Sequence, residues 1–67
     1  MKKSYILLSI YDKLKSGKYL EINECCGEFG ISVPTFRRYL SFLRDYFCEN
    51  FSQEIIYDAE NKKYILK

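Results

Sequence analysis

The 67-residue chain has no histidine, a single proline, three glycines and three cysteines. With no histidine, no glycine-rich phosphate loop and no nucleophile set beside a base, the sequence offers nothing to catalysis, and so short a chain is not expected to enclose a substrate pocket. A zinc site would need all three cysteines and a carboxylate. Cys25 and Cys26 are adjacent while Cys48 is far along the chain, which fits neither a disulfide framework nor a CxxC pair, so the thiols read as small buried hydrophobes. No cofactor or metal is expected. No apolar stretch approaches the ~20 residues of a membrane span, and Met1-Lys2-Lys3 leads into an amphipathic pattern instead of a signal-peptide core. The chain is therefore expected in the cytoplasm, with no membrane partner.

What the sequence does have is aromatic and charged. Seven Tyr and five Phe bring large apolar areas to a chain of a size that buries only ~60% of its unfolded surface, and Tyr can keep its hydroxyl wet at the edge of a small core. The formal net charge is only +2, but its sign alternates by segment. Residues 1–20 carry five Lys against Asp12, and residues 31–47 carry three Arg against Asp45. Glu21, Glu24 and Glu28 lie between those segments, Glu49, Glu54, Asp58 and Glu60 follow them, and Lys62, Lys63 and Lys67 close the chain. Such alternation permits one basic face and an acidic back, and equally a solvated surface of mixed charge.

Periodicity divides the chain into three helices and a hairpin. Ile6, Leu7, Ile10, Tyr11 and Leu14 share one helical face over about 4–16, with Ser4 available as cap and Ser16-Gly17 as the stop. Leu20 is expected to pair as a stub of strand, and a short helix covers 22–29. Gly30 ends that helix where a left-handed backbone is cheapest, Ser32 caps the next, and Pro34 sits in its first turn, where the missing N–H costs nothing. Over 33–47, Phe36, Leu40, Leu43 and Phe47 form one apolar stripe, leaving Arg37, Arg38, Ser41 and Asp45 to point elsewhere. Cys48 to Gln53 reads as a connector, and the β-rich segments 54–57 and 63–66, joined by the polar loop 58–62, read as a hairpin within about 54–66. The fold class is α+β, mainly α, in a single domain over 1–67.

This order of elements resembles the winged helix-turn-helix domain of DeoR-like and WYL-domain bacterial transcription regulators. The likeness runs almost end to end: Ile6-Leu7 through Tyr11, Leu14, Gly17 and Leu20; Glu24-Cys25-Cys26 followed by Phe29-Gly30-Ile31-Ser32; Thr35-Phe36-Arg37-Arg38-Tyr39-Leu40; and the wing at Ile56-Tyr57-Asp58 and Tyr64-Ile65-Leu66. Three positions depart from the family pattern. Pro34 stands where a basic residue is frequent, Tyr39 replaces an aspartate that would orient Arg38, and Cys25 and Cys26 replace leucine and alanine. Full regulators of this type carry a sensing domain after the wing, so the chain is expected to be either a small stand-alone regulator or the N-terminal domain of a longer one.

The resemblance implies sequence-specific binding of double-stranded DNA in transcription regulation, at the nucleoid, with the third helix in the major groove. Ser32 and Thr35 stand at its N-terminus, where hydroxyls and free N–H groups hold a phosphate, and Pro34 is kept among the contact positions. Arg37 and Arg38 are the candidates for base edges, since the guanidinium fork matches the two acceptors of guanine, and Ser41 lies one turn further along. Lys62 and Lys63 on the wing are expected to add charge contacts. A homodimer is the arrangement expected for tight binding, with Phe42 or the first helix as its contact. The alternative function is a winged-helix module for protein interaction or dimerisation; DNA binding loses its footing if Arg37, Arg38 and the wing lysines do not share one face.

Overall fold

In the computed structural model, which describes residues 2–67, the helices are α1 (Lys3–Lys15), α2 (Ile22–Phe29) and α3 (Val33–Phe51), followed by β1 (Ile55–Asp58) and β2 (Lys63–Leu66). The three-helix and hairpin organisation is the one read from periodicity. Ser4 is not the first cap: α1 begins one residue earlier and its N-cap, Lys2, makes no side-chain cap bond. The other end is closed as expected. Gly17 takes a left-handed φ of 78°, and the N–H groups of Gly17 and Lys18 donate back to Leu14 and Lys13 at 3.1 and 3.0 Å, the paired bonds of a Schellman stop.

Glu21 caps α2, its carboxylate accepting from the N–H groups of Asn23 and Glu24 at 3.2 and 2.8 Å. Gly30 then turns the chain with φ 65°, and Ile31 N–H donates to the Cys26 carbonyl at 3.1 Å. Two residues later the Ser32 side chain accepts from Thr35 N–H at 3.4 Å, and α3 starts with Pro34 in its first turn. The end expected at Phe47 is corrected. The helix continues to Phe51, and the connector shrinks to residues 52–54, because the apolar stripe extends one more turn. Phe51 packs 6.0 Å from the rings of Tyr46 and Phe47, the Lys15 ammonium lies 3.6 Å from its centroid, and the Asn50 side chain donates to the Tyr46 carbonyl within the helix.

The strands pair antiparallel with Ile55 opposite Leu66 and Tyr57 opposite Tyr64. Leu20 forms the expected stub: its N–H and carbonyl exchange bonds with Tyr64 at 2.9 and 2.8 Å, adding a third edge beside β2. Residues 59–62 make the loop, with Asp58 counted in β1. The Asp58 carboxylate accepts from the backbone N–H groups of Glu60 and Asn61 and from the Asn61 side chain. Those bonds hold its carboxyl below the ordinary carboxylate range, led by the Asn61 side chain.

Phe36, Phe47, Ile10, Leu14 and Leu20 are fully enclosed, and Tyr39 joins the core on α3. Stacked rings of Tyr11 and Phe47, 5.2 Å apart, join α1 to α3, while the Tyr64 ring meets Phe36 edge-on at 6.2 Å and Tyr57 at 4.8 Å. All three cysteines are free; only Cys25 is fully buried, Cys26 is half-buried, and Cys48 is exposed on the polar side of α3, contrary to the expectation of three buried thiols. Burial pushes the Cys25 thiol up, which keeps it protonated.

An added Cβ at Gly30 would meet nothing within 4 Å, so the cost of substitution there is conformational alone. Gly30→Ala is expected to destabilise by about 1–2 kcal/mol and Gly30→Asn by less, both read as the shift of the thermal midpoint. Ser52 carries the opposite opportunity, a residue with a Cβ at φ 54°. Ser52→Gly is expected to stabilise by about 1 kcal/mol, and an unchanged midpoint would count against strain at that position.

The loop also has a pH signature. Asp58 is easier to ionise folded than unfolded, so its contribution is fully present above the ordinary carboxylate pKa and is lost as pH falls through its lowered folded value. An acid titration followed by NMR is expected to show the Glu60 and Asn61 amide signals moving together with the Asp58 carboxyl, and Asp58→Ala to abolish that step.

Candidate nucleic-acid interface

The short turn at Gly30 sets α2 across the start of α3, leaving one side of α3 for the apolar stripe and the other for solvent. At the N-terminus of α3, Pro34 is exposed and Thr35 is half-buried. Ser32 is exposed but engaged locally, its hydroxyl donating to the Thr35 hydroxyl at 2.9 Å while accepting the Thr35 amide. The pair therefore serves the helix first; with Pro34 bringing no N–H and the Thr35 and Phe36 amides bonded back to Ser32, only the Val33 N–H of the first turn is left over.

Arg37, Ser41 and Arg44 follow at steps of four and three, so their side chains stack along one flank of α3. Together with Leu40 and Tyr64 they line a shallow hollow of about 220 Å³ between α3 and the hairpin. Two guanidinium groups, a hydroxyl and a phenol thus bound one concave surface. Among the described residues the single ion pair is Lys13 with Glu28, at 2.6 Å, which ties α1 to α2 on another side of the molecule. None of the three arginines is neutralised by a carboxylate at that range. The Glu28 hydrogen bond, the largest influence on Lys13, holds that ammonium's pKa above its ordinary value, so it is committed to α2.

Arg38 is exposed as well, but one residue on, about 100° further round the helix, with Asp45 seven residues later on the same strip. Arg44 and Tyr64 were not singled out by sequence reasoning. The signal for Arg44 was available in its spacing from Arg37 and Ser41, whereas Tyr64 reaches this flank only through the pairing of β2 with Leu20.

The lysines divide differently. Strand alternation puts Tyr57, Tyr64, Ile55 and Leu66 on the sheet face toward the helices and the Asp58–Lys63 pair on the other. Lys63 accordingly lies away from the arginine flank, its ammonium 4.9 Å from the Tyr19 ring. Lys62 is exposed in the loop at φ 55°. Arg37 and Ser41 are thus brought together, Arg38 stands beside them, and Lys63 is held elsewhere, so the single face expected of Arg37, Arg38 and both wing lysines does not form.

Two further observations bound the chemistry. Among the described residues no three of the metal-binding side chains are grouped closely enough to hold an ion, and no helix is long and apolar enough to cross a membrane. Comparison of the chain with protein-family models, with curated proteins and with solved structures gave no match, so a functional reading rests on the geometry of this flank of α3.

Proposed function

We propose that the chain binds double-stranded DNA as a winged helix-turn-helix transcription regulator, or as the DNA-binding domain of one, at the bacterial nucleoid in the cytoplasm. The observation that carries this reading is the line of Arg37, Ser41 and Arg44 beside Tyr64, exposed, free of acidic partners and backed by a rigid core. The two arginines stand seven positions apart, about 10 Å of rise, so a helix lying along a major groove presents them about three base steps apart. In this reading Arg38 on the outer strip reaches base edges, and Arg37 and Arg44, together on the neighbouring flank, reach phosphates or bases. The Thr35 hydroxyl, which accepts from Ser32 and keeps its own proton to donate, suits a phosphate oxygen at the start of α3. Lys62 adds charge from the loop, while Lys63 contributes only at longer range.

With three arginines and little net charge, one copy neutralises few phosphates, so its binding is weak and salt-sensitive. Selection of bound sites from random duplex DNA is expected to yield a preferred sequence. On that sequence Arg38→Ala is expected to cost about 1–3 kcal/mol, while Arg37→Ala or Arg44→Ala lowers the salt dependence of log K by about one ion each if that residue contacts phosphate. All three side chains are exposed, so melting behaviour is expected to stay near wild type. Unchanged duplex affinity in the triple alanine variant would overturn the proposal.

A further inference from the structure

Leu8, Phe42 and Tyr46, three of the seven large apolar side chains exposed among the described residues, gather on one surface, and Tyr5 stands a turn before Leu8 on α1. Leu8, Phe42 and Tyr46 border an open apolar groove of about 430 Å³ between α1 and α3, floored by Leu7, Tyr11 and Leu43. The two helices run in the same sense there: Tyr11 meets Tyr46 and Phe47, Lys15 four residues on meets Phe51, and Leu7, Leu8, Phe42 and Leu43 line the groove on the other side of Tyr11. A two-fold axis across such a surface sets each helix antiparallel to its own copy.

One axis satisfies both helices. Placed at Leu8, it brings Leu8 against Leu8 and, through the alignment of α1 with α3, Phe42 against Tyr46 of the second copy. The exposed strip of α3 reads Arg38, Phe42, Asp45, Glu49 at steps of four, three and four. The same axis carries Arg38 to within one residue of the second copy's Glu49, twice by symmetry, while Asp45 near the axis faces its own copy, so the strip is charge-complementary at its ends and like-charged at its middle.

We infer that this groove is closed by a second copy of the chain, in an isologous pair with Leu8 at the dyad and Arg38–Glu49 pairs at its ends. The four side chains expose about 450 Å² per copy, reckoned from the usual areas of such residues. That is roughly half of what a standard interface needs on each side, so the pair is weak, with a dissociation constant in the micromolar range or above. It also bears on the proposed function, on which this last step rests. The paired α3 helices would lie about 10 Å apart, too close for successive major grooves about 34 Å apart, and Arg38 is taken out of reach. The pair is then a state off the duplex, and the contact at Phe42 and the first helix is not the one that a DNA-bound homodimer would use.

Sedimentation equilibrium of the full chain without DNA, from about 10 μM to 1 mM, tests the pairing independently of any nucleic-acid reading. The wild type is expected to dimerise in that range, and Leu8→Glu or Phe42→Glu to stay monomeric with an unchanged circular dichroism spectrum. Arg38→Glu and Glu49→Arg are each expected to weaken association about tenfold, and the double swap to restore it to within about threefold. A monomeric wild type would overturn the inference, as would a double swap no better than its single variants, which would leave the groove to another occupant. On a selected duplex, Leu8→Glu is expected to bind more tightly than wild type at concentrations where wild type pairs; equal affinity there would overturn the competition and leave the pair standing. Absence of DNA binding in both would overturn the proposed function and the competition together, without touching the sedimentation result.

Discussion

The backbone exchange between Leu20 and Tyr64 is the constraint on which the remaining architecture depends. A two-stranded hairpin is marginal in water by itself, and here its inner strand is held from both sides, by β1 and by the residue between α1 and α2. Because that bond fixes the strand's register, the Tyr64 ring must face α3, where it meets Phe36 and walls the hollow beside Arg37 and Arg44. A shift of one residue would turn Tyr64 outward and Lys63 inward. The geometry of the arginine flank is thus set by a residue at the far end of the chain.

The helical part of this arrangement was legible because it is written in local signals. Gly17 and Gly30 both take the left-handed turns that their positions suggested, and the stripe from Phe36 to Phe47 is buried as its spacing requires. Even the stub at Leu20 could be read from a short apolar approach. Errors arose where a side chain's partner is distant or of an unexpected type. Lys2, not Ser4, stands at the first cap with no acceptor to offer, and Glu21 caps α2, a position where the sequence suggested no cap. The last turn of α3 looked like a connector because Asn50 and Ser52 suggest turns, yet Phe51 finds Tyr46, Phe47 and Lys15 once the helices are docked. Tertiary contact outweighed local propensity there.

The candidate site was legible to a smaller degree for the same reason. Arg37, Arg38 and Ser41 lie on solvent-facing positions, as helical periodicity indicated. Which flank each occupies depends on what packs beside α3, and sequence spacing does not contain that. Arg44 gained its place from the hairpin, and Lys63 lost its place to the pleat of β2 and the ring of Tyr19. Charge sums by segment treated the two lysines of the loop as one unit, whereas successive residues at the start of a strand point to opposite sides.

More than forty residues separate Leu20 from Tyr64, so their pairing closes a long loop whose entropy must be lost before any hydrogen bond is gained. Contacts between neighbouring helices span shorter stretches and involve surfaces that are apolar before the hairpin arrives. The helical bundle is therefore expected to collapse first and present an open edge at Leu20, with the hairpin docking late, in the slow step that non-local pairing imposes. The flank of α3 that carries Arg37 and Arg44 acquires its second wall only at that final event. A chain arrested before it would have its helices in place and its hollow unformed.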